Sequence, residues 1–240
     1  SASFSVPQAR FTDALPAEHG GTGEELSRSR MRGLLGFELD WFQLQALRAL
    51  TLGDDVLGMA PTGSGKTVLA VLAVVLRAFD VGARAVLTTP MKALSNQKYA
   101  EFGAWLGAAY PHLGRRVSLL TGDIQVRAAP PGGDGVPELL IMTSEIYANK
   151  VERATSGSFT DDPDLRGVAA VVMDEVHYIN DAGRGHVWER GIMDTPPNVQ
   201  LVALSATLRD PERLASWMRR RGKESGGRRV SVVARSDRHV

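Results

Sequence analysis

The 240-residue chain has no cysteine. Disulfides and thiolate metal sites are therefore excluded, and the composition fits a reducing compartment. No apolar run approaches the ~18–20 residues of a membrane span. The run "VLAVLAVVL" (68–76) is too short and follows Lys66 and Thr67. No signal-like apolar stretch stands near Ser1. An intracellular location is expected, with no compartment favoured. The first residue is not methionine, which leads us to expect a processed product or an excised piece. A charge excess is also missing, since 28 Lys and Arg face 27 Asp and Glu. A polyanionic partner would have to be held by a local groove rather than by the global field.

What is present suits one large domain or two small ones. Apolar residues make up 43% of the chain and charged residues 23%, enough for a sizeable core. Residues 1–33 read as a loose arm, with a short helix near Glu24–Leu34. Short apolar runs at 55–60, 83–89, 116–121, 138–143, 168–175 and 199–206 read as strands. Helical patterns cover 41–50, 65–79, 91–106, 144–151 and 211–220. The Pro/Gly-rich stretch 125–138 and the stretch 153–167 read as surface loops. Strands apolar on both faces, alternating with helices, predict a mostly parallel sheet covered on both sides, a doubly wound α/β domain.

The stretch "APTGSGKT" (60–67) resembles the P-loop pattern, with Ala60 in place of the first glycine. The order is chemical. Small residues at Thr62, Gly63, Ser64 and Gly65 let the turn close, so that backbone N–H groups converge on phosphate oxygens. The helix that starts there adds its positive end. Lys66 reaches the outer phosphates, and the Thr67 hydroxyl binds Mg²⁺. The bland reading is a glycine-rich turn with an accidental lysine. A second metal ligand should then end another strand, and "VVMDEVH" (171–177) supplies one. Asp174 would hold Mg²⁺, directly or through water, and Glu175 would polarise the attacking water as general base. The bland reading here is a solvated acidic pair.

"DEVH" (174–177) also resembles the second motif of superfamily 2 helicases of the DExH type. "FELDWFQLQAL" (37–47) is similar to the Q motif of the superkiller-like RNA helicases, and "TTPMKALSNQKYAEF" (88–102) to a long stretch diagnostic of them. "LLTGD" (119–123), "IMTSEI" (141–146), "RGHVWE" (184–189) and "LSATL" (204–208) follow in the family's order. The resemblance covers about 34–235. It implies a RecA-like ATP-binding domain using ATP and magnesium. It implies that Phe37 stacks on adenine, that Gln43 reads the adenine edge, and that His177 joins the nucleotide site to Ser205 and Thr207. It further implies a second RecA-like domain, absent from this chain, with 236–240 starting the linker and little ATPase expected without it. Departures are Ser144 for a usual threonine, Arg190 for a second glutamate after Trp188, and a long 125–138 loop.

A single nucleic-acid strand, RNA favoured, is implied to cross the strand ends at Pro90, Lys92 and Ala93, at Thr121 and Gly122, and at Thr143 and Ser144. N–H groups and hydroxyls there suit phosphates, which carry no sequence information. Helix capping is the competing reading for Thr143 and Ser144. Trp188 reads as core, and the basic run 219–229 as a solvated loop. The implied activity is ATP-dependent RNA unwinding or translocation by domain closure. Alternatives are a DNA repair helicase of the same subgroup, a P-loop nucleotide kinase, which would need an arginine-bearing lid, and an inactive scaffold.

Overall fold

The computed structural model describes residues 23–111, 116–128, 137–155, 159–181, 183–206, 208, 210–221 and 227–235. Helices α1 (Gly23–Leu35) and α2 (Trp41–Thr51) precede β1 (Asp55–Met59) and α3 (Lys66–Arg77). Then come β2 (Arg84–Thr89), α4 (Lys92–Ala109), β3 (Val117–Leu120), the two-residue β4 (Gln125–Val126) and β5 (Glu138–Thr143). The chain continues through α5 (Ser144–Thr155), β6 (Val168–Met173), α6 (Gly185–Asp194), β7 (Gln200–Ser205), α7 (Pro211–Arg220) and β8 (Val230–Ala234). One sheet collects all the strands in the order β4-β3-β5-β2-β6-β7-β1-β8. Every pairing is parallel except β3 with β4. The expected doubly wound α/β architecture is present.

The strands explain why both faces must be covered. Successive side chains of a strand point to opposite faces. Val56, Leu87, Ile141, Val172 and Val202 join one core with α1 to α4, and Leu57, Val86, Leu140, Val171 and Leu201 join the other with α5 to α7. With an apolar residue at nearly every position, neither face can meet water. Helix α3 is apolar almost all round because it lies deep in the first core, buried from Val68 to Val75. Gly58 lets it approach: a Cβ there would lie 2.6 Å from Leu69 Cδ2. Helix ends follow local chemistry. Asp40 caps α2, accepting from Gln43 N at 2.9 Å while Gln43 Oε1 accepts from Asp40 N at 3.1 Å. Asp210 and Pro211 start α7.

Some expectations change. The boundary expected at 33/34 falls inside α1, whose Met31 and Leu34 are buried in the first core. Periodicity there is weak, so only packing reveals it. The stretch 125–138 begins with β4, and 129–136 lie outside the described residues. The basic run 219–229 is not simply solvated. Arg221 is fully buried, 2.9 Å from Asp55 Oδ2, and Arg228 reaches Asp55 Oδ1 at 3.1 Å. Among the described residues no helix is long and apolar enough to cross a membrane.

Candidate functional site

Parallel strands deliver their following loops to one edge. After β1 the chain turns through Gly63 and Gly65, at φ 82° and 87°, and enters α3 at Lys66. Only glycine adopts these angles without strain. At Gly65 a side chain is doubly excluded, since its Cβ would lie 2.7 Å from Gln43 Nε2. Among the described residues no side chain caps α3; Val68 N donates to Gly65 O at 3.0 Å, which leaves the N–H groups of Lys66 and Thr67 at the helix start to meet an anion. The Ser64 hydroxyl turns back to donate to Pro61 O. Arg235, just past β8, braces the turn: it donates to Ser64 O at 3.2 Å and pairs with Asp40.

Two strands away, β6 ends at Met173. Asp174 N donates to Thr88 O at 3.0 Å, and the backbone then turns sharply at Glu175. Glu175 has φ 55° and ψ 46°, the one left-handed non-glycine among the described residues. That conformation costs about 1–2 kcal/mol and aims the carboxylate at the turn. Glu175 Oε2 lies 3.7 Å from Lys66 Nζ and 3.2 Å from His177 Nδ1.

Phe37, Gln43, Thr62, Gly63, Gly65, Lys66, Thr67, Asp174 and Glu175 line one cavity of about 880 Å³. The two groups on which the sequence argument turned, Lys66 and Asp174, therefore share one pocket. Gln43 has spent its Oε1 on the α2 cap, so its Nε2 donor is what remains to offer a base edge. Lys66 is 9% exposed, and its Nζ has no hydrogen-bond partner among the described residues. A buried ammonium without a hydrogen bond, beside the start of an uncapped helix, fits a phosphate chain. Thr67 and Asp174 offer a hydroxyl and a carboxylate, the hard oxygens magnesium takes alongside phosphate and water.

Burial first, then the Glu175 charge, holds the Asp174 carboxyl above the ordinary carboxylate range, against the pull of Lys98. A metal held at that carboxylate would compete with protons for it. Magnesium-dependent nucleotide binding is expected to weaken on acidification from a higher pH than an ordinary aspartate would dictate. Titrations at stepped pH check this, with Asp174→Asn as the variant whose pH dependence should flatten.

Lys98, Glu101, Gln97 and Leu94 also line the cavity, and the sequence reading did not assign them to it. Their spacing along α4, one helical face, was the available signal. Lys98 Nζ donates to Thr67 Oγ1 at 3.2 Å and to Glu101 Oε2 at 3.0 Å.

His177 does not line this cavity. Its Nδ1 faces Glu175 at 3.2 Å, and the fully buried Ser205 Oγ has no hydrogen-bond partner among the described residues. Thr207 lies outside the described residues.

A second cavity on the same edge, about 380 Å³, gathers Pro90, Lys92, Gly122 and Thr143 with Met91, Glu145, Ile146 and Arg184. Lys92 pairs with Asp123, while Arg184 pairs with Glu145 and donates to Pro90 O at 2.7 Å. Ala93 is exposed on the first turn of α4. Thr121 and Ser144 differ from expectation, because their buried hydroxyls are committed to the backbone. Thr121 Oγ1 accepts from Ile124 N at 3.1 Å, and Ser144 Oγ donates to Thr89 O at 3.2 Å. Trp188 is core, 1% exposed and stacked on Tyr178. Arg190 pairs with Glu152 across α5 and α6.

Residues 41–214 match the family model described as DEAD/DEAH box helicase. The chain belongs to the DEAD/DEAH box helicase family. This helicase domain is 40% identical over 189 residues to probable helicase HelY of Mycobacterium tuberculosis, covering 79% of this chain and 18% of that protein. It is 38% identical over 195 residues to the chloroplastic DExH-box ATP-dependent RNA helicase DExH15 of Arabidopsis thaliana, covering 81% and 15%. The chain thus spans under a fifth of these relatives' length. Among solved structures, Mycobacterium smegmatis helicase Lhr bound to ssDNA and AMP-PNP superposes with TM-score 0.58 at 26% identity, covering 81% of this chain and 25% of that one.

Proposed function

We propose that this domain binds ATP and magnesium in the 880 Å³ cavity and serves an ATP-dependent helicase that moves on or unwinds RNA. The observation that carries the reading is the convergence of Lys66, Thr67, Asp174 and Glu175 on one pocket, with a buried Lys66 ammonium that has no hydrogen-bond partner among the described residues. When bound, magnesium supplies charge neutralisation along the triphosphate. The P-loop N–H groups and Lys66 bind and orient the phosphates, and Phe37 and Gln43 face the base. Thr67 and Asp174 hold the metal. Glu175 accepts the proton of the attacking water; His177 Nδ1 lies 3.2 Å from its Oε2 without a hydrogen bond between them. The second cavity accommodates the nucleic-acid backbone at Pro90, Lys92, Gly122 and Thr143. Closure against a second RecA-like domain would complete the active site.

RNA is favoured by the "KALSNQKY" stretch (92–99) and by the RNA helicase relative. DNA is the second reading, favoured by the ssDNA-bound Lhr structure. The test has two stages. A fluorescent ATP analogue should bind this chain, and Lys66→Ala should weaken it by at least about tenfold, the loss of one charge-assisted phosphate contact. Strand displacement by the full-length protein on matched RNA and DNA duplexes then separates the substrates. Unchanged affinity in the Lys66 variant would remove the nucleotide from this pocket.

A further inference from the structure

Lys98 has no part in the reading above, yet it stands at the metal position. It comes from the second turn of α4, its side chain is 13% exposed, and it lines the nucleotide cavity. Its ammonium donates to the Thr67 hydroxyl, the oxygen a magnesium ion would need, at 3.2 Å. It also acts on the Asp174 carboxylate, the other proposed metal ligand. A divalent cation on Thr67 would sit within a few ångströms of that ammonium, and the two would repel. Lysine can yield, because its charge rides on a flexible four-carbon stem. Glu101, one helical turn along and 3.0 Å from the same nitrogen, is already placed to receive it.

Resting on the nucleotide-site reading, we propose that Lys98 is the resident counter-ion of the metal position. It neutralises the Thr67–Asp174 end of the cavity while the metal is absent, and withdraws onto Glu101 when magnesium enters with nucleotide. Two consequences follow. Lys98 should help metal-free nucleotide to bind, because it supplies a cation where phosphate charge accumulates. It should also oppose the metal-loaded nucleotide, because it must move. Both effects lower the coupling between metal and nucleotide, a coupling that is the same whichever ligand binds first.

The test measures the Kd of a fluorescent nucleotide on this chain in excess magnesium and in EDTA. The ratio of metal-free to metal-loaded Kd is the readout. Lys98→Met should raise that ratio about tenfold, the order expected for one partly screened charge a few ångströms away. Lys98→Arg, which keeps the charge, should stay near the wild-type ratio. Glu101→Gln, which removes the acceptor for withdrawal, should lower it. If Lys98→Met shifts both Kd values by the same factor, Lys98 only shapes the pocket wall and the proposal is wrong. A wild-type chain that binds no nucleotide in either condition would instead sink the functional reading, and this proposal with it.

Discussion

In the full-length protein, Glu175→Gln is expected to cut kcat for ATP hydrolysis about 10²–10⁴-fold, the usual worth of a positioned general base. Nucleotide affinity should barely change. The geometry explains both halves. The glutamine amide keeps the size of the carboxylate, and the backbone at φ 55° is held by its own contacts: Asp174 N on Thr88 O, Glu175 N on Asp174 Oδ1, and Tyr178 N on Glu175 O. The P-loop cradle is untouched. What disappears is the capacity to take a proton from water. Lys66 also loses its ionic neighbour at 3.7 Å, which leaves its ammonium freer for phosphate, so any change in affinity should be toward tighter binding. Single-turnover hydrolysis and a nucleotide titration on the same variant separate the two effects. A kcat within threefold of wild type would strip Glu175 of its role. Glu175→Gly supplies the complementary control. It also removes the base, but it relieves the left-handed strain, so the fold should gain about 1 kcal/mol while hydrolysis is lost.

The shared cavity of the 60–67 turn and the 174–175 pair was legible in the sequence because its parts are tied to local geometry. A turn that presents successive N–H groups needs small residues at fixed spacing, and the lysine and threonine must open the next helix. Asp174 and Glu175 were readable for a similar reason, since an apolar strand ending in carboxylates on a parallel sheet must put them on the ligand edge. Lys98 was different. Its meeting with Thr67, 31 residues away, depends on how α4 packs beside α3. The quoted motif contained the residue but did not say where its ammonium would rest. Nor does any residue pattern mark a glutamate for the left-handed region. That backbone is imposed where β6 hands over to the 3-10 turn at Val176–Asn180.

Hydroxyl residues at strand ends show a further limit. Thr121 and Thr143 look alike in sequence. One commits its hydroxyl to Ile124 N, while the other lines an open cavity. A threonine can satisfy its own backbone or a ligand, and spacing alone does not choose. The basic run at 219–229 misled for the opposite reason. Arginines in a glycine-rich stretch usually face water. Here Arg221 has a partner 166 residues earlier in the chain, and only the assembled sheet brings them together.

That pair supports the largest expected effect on stability. Asp55→Ala should destabilise this chain by about 3–5 kcal/mol, the cost of leaving a buried charge without its partner. Asp55 opens β1, with no exposed side-chain surface, and accepts from Arg221 at 2.9 Å, Arg228 at 3.1 Å and Leu201 N at 2.8 Å. Removing the carboxylate leaves Leu201 N without this acceptor and takes the charge partner from both guanidiniums, although Arg228 keeps Gly53 O at 2.7 Å. Arg221 suffers most. Burial disfavours its charged form, and Asp55 is the main influence restoring it. Its remaining partners are the Val199 and Thr195 carbonyls, which satisfy hydrogen bonds but not charge. Against a typical total of about 5–15 kcal/mol, such a loss is a large share of the margin. Guanidinium unfolding checks it: the midpoint should fall with little change in slope. The double variant Asp55→Ala/Arg221→Met should recover part of the loss, because removing both charges takes away the desolvation cost as well as the attraction. If the double variant is less stable than Asp55→Ala by the full cost of another buried truncation, the penalty came from lost packing at β1 rather than from an unpaired guanidinium.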